Sequence, residues 1–118
     1  MDAKYFQDYF VALDSLQVEE LCDVYLHKDL RVFIIGVEGV VSPLDRAQFL
    51  DLVQTGHSDS HSVIHIPGIV KSEGNLAFVD GYIKTTFVDQ PDLYGKFTDF
   101  FRFSDGKIME YNICNYSL

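Results

Sequence analysis

Asp99 stands in an aromatic strand pattern, Phe97-Thr98-Asp99-Phe100-Phe101-Arg102-Phe103, and a carboxyl group so placed is the chain's best candidate for chemistry. Alternation puts Asp99, Phe101 and Phe103 on one face of that strand. Tyr111 and Ile113 share a face of the next strand, which runs back from a turn at Ser104-Asp105-Gly106. If these faces are internal, the carboxyl enters an apolar cavity lined by Phe101 and Tyr111, and burial raises its pKa. The alternative is a strand carboxylate paired with Lys or Arg, or solvated at a sheet edge.

Three further groups could take part. Asp80, between Phe78 and Tyr82 in a second alternating segment, is either a general base, if its parity faces inward, or the polar member of the alternation. Tyr82 and Tyr111 fit pocket lining better than acid chemistry, and Phe78 is expected to line the pocket with them. Tyr9 recurs at helical spacing, so it is either core or a buried hydroxyl in need of a partner. His65 is a single imidazole that could move a proton near neutral pH. His57, His61 and His65 recur at four-residue intervals, but on one extended strand His61 and His65 lie about 13 Å apart and cannot chelate one ion. No metal or cofactor is expected. Gly36-Val37-Glu38-Gly39 opens no helix with the Lys and Ser or Thr of a phosphate loop, and there is no Ser or Cys nucleophile signature.

These groups need elements to hold them. Phe6, Tyr9, Phe10, Leu13 and Leu16 predict an amphipathic helix over residues 3–14. Asp14 and Gln17 resemble a capping box that restarts a second helix through Val18, Leu21, Cys22 and Tyr25. Leu30 to Val37 reads as strand, with Gly36 and Gly39 allowing a turn before Val40 and Val41. A third helix follows: Ser42 as N-cap, Pro43 first, Asp45 in the first turn, Gly56 as stop, and Leu44, Ala47, Leu50 and Val53 as its buried face. Then come three long strand segments, His61 to Ser72, Leu76 to Asp89, and Lys96 to Tyr116 with its hairpin, broken at Glu73-Gly74-Asn75 and Gln90-Pro91-Asp92. Helices first and antiparallel strands later is an α+β pattern.

The 118 residues make one domain, 1–118, large enough to bury about two-thirds of the unfolded surface. Ten Phe and seven Tyr suit an aromatic interior. A net charge of −9, with nine scattered Lys and Arg, gives no basic stripe for nucleic acid or an anionic membrane. The longest apolar run, Val32 to Ile35, is far short of the roughly 18 residues of a span. The acidic, aromatic N-terminus is unlike a signal peptide, and Cys22 and Cys114 are too few for a disulfide framework and read as small core residues. A reducing cytoplasm is the expected setting.

Gln7-Asp8-Tyr9-Phe10-Val11-Ala12-Leu13, Gly74-Asn75-Leu76-Ala77-Phe78, and Asp99-Phe100-Phe101-Arg102-Phe103 followed by Asp105-Gly106-Lys107-Ile108 carry a family likeness over nearly the whole chain. In these segments the chain resembles the nuclear transport factor 2 (NTF2)-like superfamily, including SnoaL-like polyketide cyclases and ketosteroid isomerases. The resemblance implies a cone: a curved, mixed, largely antiparallel sheet wrapped over three helices. It also implies that Tyr9 and Asp99 hold the positions of an oxyanion hole, Asp99 neutral in an apolar pocket and donating to a developing enolate. The isomerase base would fall at about Phe33, and the final-strand acid of other members near Ile113. Neither can move a proton, which leaves Asp80 as the acidic substitute. The expectation is a protein that binds a small apolar or aromatic molecule of steroid or polyketide size, with isomerisation, cyclisation or dehydration as its reaction if it has one. The alternative is a non-catalytic association module. A homodimer through the outer sheet face is expected from the family, with Val63, Val79, Ile83 and Phe100 available.

Overall fold

A computed structural model of the chain describes residues 1–36, 39–40, 43–57 and 61–117. Phe6, Tyr9, Phe10 and Leu13 form the buried stripe of α1, Ala3–Asp14, and Asp2 caps the helix by accepting the Tyr5 N–H at 2.9 Å. Leu16, at φ 54°, turns the chain away. Gln17 then heads a short α2, Val18–Glu20, without a side-chain cap, so the expected capping box with Asp14 does not form. Asp14 is the last residue of α1, and its carboxylate is engaged elsewhere. From α2 the chain runs into a π-helical turn, Leu21–Tyr25, that buries Leu21 and Tyr25.

Strand β1, Leu26–Gly36, begins earlier than the expected Leu30 and pairs with the short β2, Gly39–Val40. Val37, Val41 and the expected N-cap Ser42 lie outside the described residues. Helix α3, Arg46–Thr55, starts after Pro43 rather than at it. Asp45 and Gln48 form the stronger start: Asp45 accepts the Gln48 N–H at 2.8 Å, and the Gln48 side chain accepts the Asp45 N–H at 2.9 Å. Leu44 is thereby left outside the helix, where it exchanges two backbone hydrogen bonds of 2.9 Å with Val32. Phe49 is the buried residue of α3; Leu50 and Val53 pack partly against the core, and Ala47 is exposed.

Four long strands complete the chain: β3, His61–Glu73; β4, Leu76–Phe87; β5, Leu93–Ser104; and β6, Lys107–Ser117. Each is antiparallel to the next, and β6 lies parallel to β1 in a six-stranded sheet of order β2-β1-β6-β5-β4-β3. The β5–β6 turn places Asp105 at φ 54° and Gly106 at φ 76°, the left-handed pair of a two-residue hairpin. Register shifts at Pro67/Ile69 and Arg102/Phe103 bend the sheet. Its concave face carries Ala77, Val79, Phe97, Phe101, Phe103, Ile108 and Tyr111, all buried, and the rings of Phe97, Phe101, Phe103 and Tyr111 pack against those of α1. Each large side chain so enclosed contributes about 1.5–3 kcal/mol. Cys22 and Cys114 are free and half-buried rather than core. Among the described residues no helix is long and apolar enough to cross a membrane.

Candidate functional site

The register of β5 sets Asp99 opposite Val79 of β4 and Ile113 of β6, on the concave face, where it is 1% exposed. From the adjacent strand Tyr111 donates its hydroxyl to Asp99 Oδ2 at 3.1 Å, while Oδ1 is buried without a protein partner. Desolvation holds the Asp99 carboxyl well above the usual carboxylate range, and the Tyr111 hydrogen bond offsets this in part. A carboxylic acid that keeps its proton is a donor, and Oδ1 is the oxygen left for a ligand.

A second pair faces the same space. His65 lies opposite Ile83 on the concave side of β3, where α1 crosses the strand. Asp14 accepts the His65 backbone N–H at 2.6 Å and its Nδ1–H at 2.7 Å. A carboxylate oxygen only accepts, so Nδ1 carries a proton, and in the neutral form of the ring the lone pair lies on Nε2. Phe10 stacks on the imidazole at 5.0 Å and 15°, and Phe97 meets it edge-on at 5.2 Å, which fixes the ring plane.

Asp99, Tyr111, Asp14 and His65 all line one cavity of about 170 Å³, walled also by Ile34, Phe49 and Ile113 and reached by His57 at the end of α3. An apolar cavity of about 150 Å³ takes benzene, so this one encloses a single ring. A molecule of steroid size would project through its open side.

The other expected residues are elsewhere. Tyr9 and Phe101 are fully buried one layer behind Tyr111, their rings 6.1 and 4.5 Å from its ring, and belong to the core rather than the cavity wall. The Tyr9 hydroxyl is sealed in without a well-formed hydrogen bond, and burial drives its pKa well up. Phe78, Asp80 and Tyr82 have the opposite parity from that expected and lie on the convex face. There Asp80 pairs with Lys96 at 3.3 Å, and Lys96 lies 5.5 Å over the Tyr82 ring. Ala77, Val79 and Gly81 face inward in their place because the aromatic side chains of α1 and β5 already fill that space. Phe33 also faces outward, with Arg31 at 5.7 Å over its ring. Ile113 is an apolar wall residue.

Asp14 is the site residue missing from the sequence reading. Its signal was present: Phe6, Phe10 and Asp14 are four residues apart, so Asp14 continues the buried stripe of α1. No family model matches the sequence, and no curated protein matches it. Solved structures do match. IdmH from Streptomyces antibioticus superposes with a TM-score of 0.76 at 18% identity, over 96% of this chain and 90% of that one. An LEH-like epoxide hydrolase from M. tuberculosis gives 0.73 at 12% identity, over 95% and 80%. A SnoaL-like polyketide cyclase from Agrobacterium tumefaciens gives 0.70 at 15% identity, over 93% and 87%. At such identities the likeness is one of architecture, and by that architecture the chain takes the NTF2-like fold that SnoaL-like proteins share.

Proposed function

We propose that this protein binds a small apolar or aromatic carbonyl compound and moves a proton on the carbon beside the carbonyl. The observation that carries the reading is that the Asp14–His65 pair and the buried Asp99–Tyr111 pair line one cavity of single-ring size. His65 Nε2 would take the C–H proton, with Asp14 holding the tautomer in which that nitrogen is free. The electron pair would pass to the carbonyl oxygen, where the Asp99 proton stabilises the enolate. Isomerisation, dehydration and cyclisation all begin this way. His65 thus supplies the base that the family pattern lacks at Phe33, and Tyr111 stands where a phenol was expected of Tyr9. The polyketide cyclase among the structural neighbours fits this class of chemistry.

Proton exchange tests the reading without knowledge of the substrate. Acetophenone and cyclohexanone in deuterated buffer should lose their α-protons faster with the protein than without. His65→Asn should reduce that acceleration by roughly a hundredfold or more, and Asp99→Asn should reduce it while leaving binding intact. A wild-type protein that accelerates neither ketone, or a His65→Asn variant as active as wild type, would defeat the assignment.

A second reading draws on the convex face. Ile64, Ile66, Ile69, Phe78 and Tyr82 are between 37% and 55% exposed there, enough to favour association with a second copy of the chain. Of the residues expected to serve this contact, Val79 is in the core, Val63 lines the cavity and Ile83 packs inward; Phe100 does lie on the convex side.

A further inference from the structure

Resting on the reading just given, we infer that His57 makes the cavity selective for ligands that carry a hydroxyl group in addition to the carbonyl. His57 follows the C-cap of α3, and its Nδ1 lies 3.0 Å from the Val53 carbonyl oxygen. A carbonyl oxygen only accepts, so Nδ1 carries a proton, and in the neutral form of the ring the lone pair lies on Nε2. That Nε2 is sealed from solvent and meets no donor among the described residues, although His57 lines the cavity.

Buried nitrogen acceptors are ordinarily satisfied, and one left open in a ligand cavity is matched by a ligand donor. The nearby wall, Leu13, Leu52, Val53 and Phe49, is apolar, and Asn115, whose amide also lines the cavity, makes no hydrogen bond to His57 Nε2. Asp99 is a donor and His65 is committed by Asp14 as an acceptor, so the polar groups ask for a carbonyl oxygen, an acidic C–H and an O–H in one molecule. A hydroxy-ketone, with the hydroxyl on or beside its ring, has all three.

Two probes of nearly equal shape separate the outcomes: 4-hydroxyacetophenone, which has the donor, and 4-methoxyacetophenone, which lacks it. Calorimetric titration of the wild-type protein should favour the hydroxy compound by about tenfold. His57→Phe should bring the ratio to near one. The 15N shift of His57 Nε2 should also move on addition of the hydroxy compound and stay put with the methoxy one, a readout that needs no variant. Binding of both probes without preference, or a preference that survives His57→Phe, overturns this inference and leaves the proton-transfer reading standing. Failure of both probes to bind removes the pocket reading and this inference together.

Discussion

Asp99 keeps its proton in the folded chain at a pH where the unfolded chain releases it, so this residue makes stability depend on pH. Its folded pKa lies above the ordinary 3.8. Below that value both states hold the proton and the full stability is present. As the pH rises above it the unfolded state ionises, and folding loses about 1.4 kcal/mol per pH unit until the folded pKa is reached. Asn is of the same shape, stays neutral and can still accept from Tyr111. Urea unfolding from pH 4 to 7.5 should therefore show wild type losing stability relative to Asp99→Asn as pH increases; parallel curves would mean that the folded carboxyl ionises normally. Tyr9 makes the opposite case. Its buried hydroxyl has no well-formed partner, so Tyr9→Phe should leave stability unchanged or raise it by up to about 1 kcal/mol, with ketone exchange intact. Loss of exchange would bring Tyr9 back to the reacting centre. Asp99 was legible because Phe97, Phe101 and Phe103 share its parity, so an internal face for those rings carries the carboxyl inward with them. Asp14 was not, because the same residue type serves as a cap, and its partner His65 is 51 positions away.

Element by element, legibility followed the strength of the local signal. Helix α1 is readable residue for residue because five apolar positions share one period and no competing cap intervenes. The start of α3 was misplaced because Ser42-Pro43 and Asp45-Gln48 both look like beginnings, and only the second makes two reciprocal hydrogen bonds. The parity of β4 failed for another reason: both faces of that strand carry apolar side chains, so alternation does not say which is inside. Packing decides it. The Phe97 ring lies over Gly81, where an added Cβ would stand 2.8 and 2.9 Å from ring carbons and collide with the Ile66 carbonyl oxygen. Backbone cannot yield there as a flexible side chain can. Gly81→Ala should accordingly destabilise the protein by about 1–3 kcal/mol in chemical denaturation, with no change in secondary-structure content. A neutral substitution would show that the concave face is looser than the register of Phe97 on Gly81 implies.

For the molecule as a whole, the sheet separates two surfaces of different character. Its concave side is closed by α1 and α3 around the cavity, while its convex side leaves Ile64, Ile66 and Ile69 about half exposed beside Tyr82, with the Asp80–Lys96 pair among them. Single exposed apolar residues need no explanation, but a group on neighbouring strands is a contact surface in waiting. Opposing it is a net charge of −9 per chain, which repels a second copy at low ionic strength and is screened within about 10 Å at 0.1 M salt. Self-association through this face should therefore strengthen with salt, the reverse of an interface held by ion pairs. Light scattering should report twice the mass of one chain at moderate salt and a falling value as salt is removed. Ile66→Lys, which places a cation in the patch but makes no contact with the cavity, should hold the chain at monomer mass and leave both unfolding stability and ketone affinity where they were. A chain that stays monomeric at every salt concentration would leave the convex face without this role, and an Ile66→Lys variant that also loses ketone binding would mean that the two faces are coupled through the sheet.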